Sequence, residues 1–324
     1  MRVNAFDIFR GLMIALMILA NTGIIAESDW NGLMLGDIIQ PMFIFIIGLV
    51  IPYSISKRLS ESKRKTIGHI IYRTFILFTL GFFLNNGWPI DFDNFRVMSV
   101  LGRLGFCYMF VALVYLLVNP KYRMKVLIII CASILVLYSF SGTLTMRVDV
   151  LLLNGHINAD TYDTEGLLST VSSFSTCLIG CLVGQYLISK KRLQTLTVYG
   201  SALVLLGLAF SLWDAINKKL YSSSFSLVVS GISIFILIGC FLVQNHKIFT
   251  VFTVLGANAI FIYVLNGLVN VQLMDTGQYE TFHNYLGSLV HSSWYGDIIY
   301  SSLYLLALWI IALVLYKKRI FIKI

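Results

Sequence analysis

The stretch ESDWNG, residues 27–32, sets two carboxylates, Glu27 and Asp29, beside Trp30 and Asn31 between two apolar runs. A carboxylate so placed can take a proton from a hydroxyl or an amine, which is general-base chemistry. Asn21 and Asp37 flank the stretch, and Arg96, Arg103 and Glu165 fall at equivalent ends of later apolar runs. Asp7, Arg10 and Arg73 fall at the opposite ends, and Lys57 and Arg58 close the second run. Guanidinium groups hold phosphate through paired N–H donors, so this basic set suits a phosphate-bearing ligand. Any one charge in an apolar helix reads as a structural ion pair or a snorkelling end group. Seven together (Asp7, Arg10, Asp37, Arg73, Arg96, Arg103 and Glu165) exceed what cohesion requires, because Ser, Thr and small residues would hold a bundle. A proton-coupled transporter would use the same residue types, so both readings stand at this point.

These residues need a membrane to position them. Of 324 residues, 58% are hydrophobic and 12% charged, and the mean hydropathy of +0.85 lies outside the range of soluble domains. The formal charge of +9 is dispersed in short clusters between apolar runs rather than along one face, so it reports orientation and not a nucleic-acid partner. With about 20 residues per crossing, helices are expected near 6–26, 37–56, 67–86, 97–118, 125–141, 166–188, 195–213, 222–243, 249–270 and 297–316. That is an all-α polytopic bundle of about ten spans, a single domain over 1–324 in a multi-pass cell-membrane protein. Lys and Arg clusters such as Lys57–Arg58, Lys63–Lys65 and Lys317–Arg319 place both termini in the cytoplasm. Residues 1–26 read as a retained helix, since Asp7 and Phe9 do not suit the leader of a secretory signal. Cys107, Cys131, Cys177, Cys181 and Cys240 all lie in apolar runs without the flanking ligands of a metal site, and read as buried hydrophobes. No P-loop, dinucleotide, zinc or serine-nucleophile pattern occurs. Asn258, in LGANAIFIYVL, suits a hydrogen bond between helices as well as it suits a ligand contact.

Several stretches in succession carry a resemblance. FDIFRGLMIALMILANTG, WNGLMLGDIIQPMFIFIIG, IIYRTFILFTLGFF, VLGRLGFCY, YDTEGLLSTVSSFSTCLIGCLVGQYL and LGANAIFIYVL resemble, in the same order, the transmembrane part of the heparan-α-glucosaminide N-acetyltransferase family and its bacterial relatives. The resemblance implies an acyltransferase that takes acetyl-CoA from the cytoplasm and acetylates a sugar amine or hydroxyl at the opposite face. It puts the family's helix-end Asn on Asn21, its Asp on Asp37, its helix arginines on Arg10, Arg73 and Arg103, and its acidic motif on Asp163 and Glu165. The family carries its catalytic His three residues before the Trp, where this chain has Glu27. Its Phe before Pro41 is here Gln40.

Under this reading Glu27 is the base, and partial burial near Asp29 and Asp37 would bring its affinity for protons toward neutrality. His156, in the loop before YDTEG, is a second candidate base. Asn21 would donate to the developing oxyanion, with Asp37, Arg103, Asp163, Glu165 and Asn258 organising the site and Trp30 and Asn31 lining the acceptor. Arg10, Arg73, Lys57 and Arg58 would hold the phosphates of acetyl-CoA, with no metal. The partners implied are an amino sugar or cell-surface glycan, membrane lipid and a second copy in a homodimer. The rival is a non-catalytic transporter or glycan-binding membrane protein on the same scaffold, which would neither bind acetyl-CoA nor release CoA.

Overall fold

The computed structural model describes residues 3–58, 62–88, 90–91, 95–141, 144–153, 156–157, 162–189, 192–289 and 292–322, except the side chains of Asp275, His283 and Ser293. The described residues form helices without strands. The long ones are α1 (Asn4–Asn21), α2 (Leu35–Lys57), α3 (Lys63–Asn86), α4 (Val100–Leu117), α5 (Arg123–Ser139), and then, after the short α6 (Leu144–Leu152), α7 (Leu167–Ser189), α8 (Leu193–Phe210) and α9 (Ser223–Val243). A 3-10 turn leads into α10 (Thr250–Ala257), α11 (Ala259–Asp275), α12 (Gln278–Leu289) and α13 (Ser293–Lys317). Eight helices are long and apolar enough to cross a bilayer, and ten crossings result if each of two bent pairs counts as one. The chain is thus a multi-pass, all-helical membrane protein, with the spans where hydropathy puts them.

Two differences from the expected spans have local causes. The run expected at 249–270 is two helices, α10 and α11, at 70° to each other. Asn258, between them, has φ −126° and ψ 39°, outside the helical region. Its side-chain amide donates to the Ile320 carbonyl at 3.0 Å and accepts from the Ile322 N–H at 2.9 Å, so the terminal segment occupies the break. The second difference is that the loops expected at 142–165 and 271–296 contain the helices α6 and α12.

The chain divides into two compact units. The first comprises Met1–Glu27, Met34–Ile39 and Gly239–Ile324, and the second Ser28–Leu33 and Gln40–Ile238. In the first unit α1 crosses α10 with backbones touching. A Cβ on Gly11 would lie 1.8 Å from the Phe252 carbonyl oxygen, and one on Gly256 1.8 Å from that of Asp7. In the second unit α2 and α7 meet the same way, with Gly180 against Phe45 and Gly48 against Cys177. Hydrocarbon chains are as apolar as leucine, so association in a bilayer depends on such close approach and on hydrogen bonds. Buried hydroxyls supply the bonds between α7 and α9: Ser226 pairs with Ser175 at 2.6 Å and with Thr176 at 2.8 Å.

Replacing Gly180 by Leu would drive a side chain into the Phe45 backbone, 2.1 Å from where its Cβ must stand. The expected cost is about 1–3 kcal/mol, read as a lowered midpoint of thermal unfolding in detergent. Gly68→Ala inside α3, where nothing lies within 4 Å, does not lower that midpoint and is expected to raise it slightly through helix propensity.

Candidate functional site

In the second unit the segment preceding α7 is held from several elements at once. Arg96, in the extended stretch before α4, takes Asp163 in a fork: Nη2 donates to Oδ1 at 2.6 Å and Nε to Oδ2 at 3.1 Å. The same Nη2 reaches Glu165 Oε2. Gln40 of α2 donates from Nε2 to the other Glu165 oxygen at 3.2 Å. Ser99 caps α4 by accepting from the Gly102 N–H at 3.0 Å, which starts the helix one turn before Arg103. Arg103 has no exposed surface. It donates to Ser169 Oγ at 2.6 Å and to the Thr164 carbonyl, with its guanidinium 5.3 Å from the Tyr221 ring centre. Asp149 of α6 completes the enclosure by accepting from the Leu167 N–H at 2.9 Å, at the first residue of α7.

Burial acts against ionisation of Glu165, but the charges of Arg103 and Arg96 and the bonds from Thr164 and Arg96 outweigh it and hold the carboxyl below its usual range. Burial likewise lowers the proton affinity of Arg96, and the hydrogen bond and charge of Asp163 with the charge of Glu165 more than reverse that. Both shifts favour the charged forms of Glu165 and Arg96. A forked guanidinium with two carboxylates fixes geometry well.

The same end of this unit carries Trp30, Asn31 and His156. Trp30 meets Tyr162 edge to face at 5.4 Å between ring centres, and Lys219 lies 5.8 Å and 5.9 Å from those two rings. Lys219 also donates to the Asp29 carbonyl. Asn31 accepts from Asn217 Nδ2 at 3.0 Å, and the Gly32 N–H donates to the Ile216 carbonyl at 2.9 Å. The WNG stretch is thereby tied to the loop between α8 and α9, with Trp30 still 38% exposed. His156 stacks on Phe95 at 4.1 Å between ring centres, and its Nδ1 lies 2.8 Å from the Phe95 carbonyl oxygen. A carbonyl can only accept, so Nδ1 donates, and the tautomer this selects has its lone pair at Nε2. Trp30, Asn31, Asp163, Glu165, Arg103 and His156 are thus joined through one series of contacts with Tyr162, Arg96 and Phe95.

The remaining expected residues are placed otherwise. In the first unit Asp37 is fully buried in the first turn of α2 and accepts from the Met34 N–H at 2.8 Å. Glu27 packs its side chain against the neighbouring Gly36. It is exposed rather than partly buried. Asn21 is exposed at the end of α1. Arg10 pairs with Asp7 at 3.2 Å, one helical turn away. Asn258 has its amide bonded to the terminal segment, as described above. In the second unit Arg73 lies over Tyr108 at 4.6 Å, Arg58 donates to His69 Nε2 at 2.9 Å, and Lys57 is exposed. Tyr162, Lys219, Asn217 and Asp149 did not stand out from the chain, because each acquires its role from a partner more than a dozen residues away.

No family model matches the chain. Over its whole length it is similar to two curated proteins: heparan-alpha-glucosaminide N-acetyltransferase of Mus musculus, 26% identical over 408 aligned residues, and that of Homo sapiens, 25% identical over 410. The chain spans 60% of the length of each.

Two outcomes follow from the ion cluster. Arg96→Ala leaves the buried Asp163 without its cation and Glu165 with only the charge of Arg103, and is expected to cost about 3–5 kcal/mol, whereas Arg96→Lys costs less. Because the folded Glu165 carboxyl titrates below its unfolded value, its stabilisation is complete above the ordinary glutamate range and is lost as pH falls through the folded value. Thermal midpoints should therefore drop on acidification below about pH 4.3, and Glu165→Gln should flatten that drop. An equal drop in Glu165→Gln would remove Glu165 as its source.

Proposed function

We propose that this chain is a membrane acyltransferase that moves an acetyl group from acetyl-CoA to an amine or hydroxyl of an amino sugar or cell-surface glycan. The observation that carries the reading is the end-to-end similarity to two N-acetyltransferases. Support comes from WNG and YDTEG, distant in sequence, meeting at Trp30 and Tyr162. The donor enters from the cytoplasm, where both termini lie, and the acceptor from the opposite face. Arg73, Lys57, Arg58 and Arg10 hold the donor phosphates, and Trp30 and Asn31 line the acceptor side.

In the chemical step a base takes the proton of the acceptor amine or hydroxyl while its lone pair forms a bond to the thioester carbonyl carbon. The carbonyl oxygen gains negative charge, which the Asn21 amide N–H stabilises. The carbon–sulfur bond then breaks, and the thiolate leaves to be protonated as CoA. Glu27, at the position of the family's His, is the proposed base, and His156 is the second candidate through the lone pair at Nε2. Asp37, Arg103, Asp163 and Glu165 organise the site. A mixed anhydride on Glu27 would be too reactive to persist, so transfer is direct within a complex of both substrates.

Purified protein incubated with labelled acetyl-CoA and a panel of amino sugars should yield acetylated product and free CoA. Glu27→Gln should lower kcat by about 10²–10⁴-fold if Glu27 is the base, and His156→Gln should do so if His156 is. Initial-rate lines that intersect when both substrates are varied are expected. Parallel lines, or labelled acetyl-enzyme after acid quench, would contradict direct transfer, and a wild type that fails to bind acetyl-CoA would end the acyltransferase reading.

A further inference from the structure

The arginines on and around α4 differ in how their charge is met. At the start of α4, Arg96 has two carboxylates in contact, and Arg103 lies within the field of Glu165. Arg73 and Arg123 have no carboxylate within ion-pairing distance among the described residues. Each stacks instead on a tyrosine of α4, Arg73 at 4.6 Å from the Tyr108 ring centre and Arg123 at 4.1 Å from that of Tyr115. Each also has a buried Nε that meets no acceptor in the structure. Tyr108 and Tyr115 are seven residues apart and so lie on one face of α4, about 10.5 Å apart along its axis.

Arg123 is the more developed of the two. It is the first residue of α5, and its Nη2 makes one long contact, 3.3 Å, to the Val118 carbonyl. The ring beneath it is fixed: Tyr115 is 2% exposed and donates from its hydroxyl to Gln185 of α7, with Arg123 itself and Ser56 of α2 also bonded to it, so one guanidinium donor is committed and the others remain. No side chain caps α5, so its first-turn N–H groups add their positive end to the guanidinium. Lys121 and Lys125 on either side add further charge of the same sign. Stacking on an aromatic face stabilises a guanidinium but leaves its N–H donors in the ring plane unspent. An anion with several acceptor oxygens meets all of these groups together.

We propose that Arg123, seated on Tyr115 at the corner between α4 and α5, is a phosphate-binding residue, with Arg73 a second cationic step two turns away on the same face. Two sources carry that group: the phosphates of a coenzyme A donor, an assignment that rests on the acyltransferase reading, and the headgroup of an anionic phospholipid, which does not.

The test compares wild type, Arg123→Gln and Arg123→Lys as purified full chains. Binding of coenzyme A and of pantetheine, the same arm without phosphate, is measured by calorimetry, and retained phosphatidylglycerol is counted by native mass spectrometry. If the donor is the source, Arg123→Gln weakens coenzyme A by about tenfold or more while pantetheine is unchanged, and Arg123→Lys recovers part of the loss. If a lipid is the source, coenzyme A binding is unchanged and Arg123→Gln loses phosphatidylglycerol relative to wild type. The proposal is overturned if neither ligand responds to Arg123→Gln, or if coenzyme A and pantetheine weaken equally, which marks a purely structural role. A wild type that binds no coenzyme A defeats the donor assignment and the acyltransferase reading together, and the phosphatidylglycerol measurement then decides whether Arg123 binds phosphate.

Discussion

The fork between Arg96 and Asp163, with Glu165 on the same guanidinium nitrogen, is the interaction on which the organised end of the second unit depends. Removing one cation and two anions from water is costly, and the cluster stands only because nearly every oxygen and N–H finds a partner. Gln40 supplies one, the Glu165 N–H donates to Asp163 at 2.8 Å, and Thr164 donates to Glu165 at 2.7 Å. With residues 163–165 so fixed, Tyr162 is delivered to Trp30 and Leu167 to Asp149, where α7 begins. The positions of the aromatic pair, of the WNG stretch and of the start of α7 therefore share one electrostatic origin.

The spans were legible because apolar runs of bilayer length have few other physical uses, and the structure returns them within a few residues over most of the chain. The break at Asn258 was not, since a single Asn in an apolar run can face a neighbouring helix equally well. What opens the helix is the backbone of residues 320–322, more than 60 residues later, which takes both ends of its amide. The α6 and α12 segments were missed for a related reason: helices of 9 and 12 residues fall below the length that hydropathy alone resolves. The site residues were partly legible. Asp163, Glu165 and Arg103 announce themselves as charges beside spans, but Arg96 binding both carboxylates, and Gln40 helping it, are facts of tertiary placement. Gln40 stood out only as a departure from the family pattern, and its bond to Glu165 gives that departure a physical use.

The contrast along α4 separates two kinds of arginine. One end of the second unit matches cation to carboxylate and is electrically satisfied within the protein. Twelve residues after Arg103, about 18 Å along the helix, Tyr115 carries Arg123 of α5, which meets that ring, its hydroxyl and the Val118 carbonyl but no carboxylate among the described residues. Evenly distributed structural pairing would not leave the charge so uneven. An anion bound at Arg123, as proposed, would supply there the negative charge that Asp163 and Glu165 supply to Arg96 at the other end.

The choice of base has its own physical logic. Proton abstraction needs a lone pair aimed at the acceptor and held there, and the two candidates meet that need differently. Glu27 is exposed and rests against Gly36 with its carboxylate at the surface of its unit. His156 has one nitrogen committed to the Phe95 carbonyl and its ring stacked on Phe95, so its tautomer and plane are both fixed. Phe95 adjoins Arg96, which ties the orientation of the imidazole to the same ion cluster that orders residues 162–167. Glu27 is proposed as the base from its place in the resemblance alone, whereas His156 is the candidate whose ring is held in place, by the Phe95 carbonyl and the Phe95 ring.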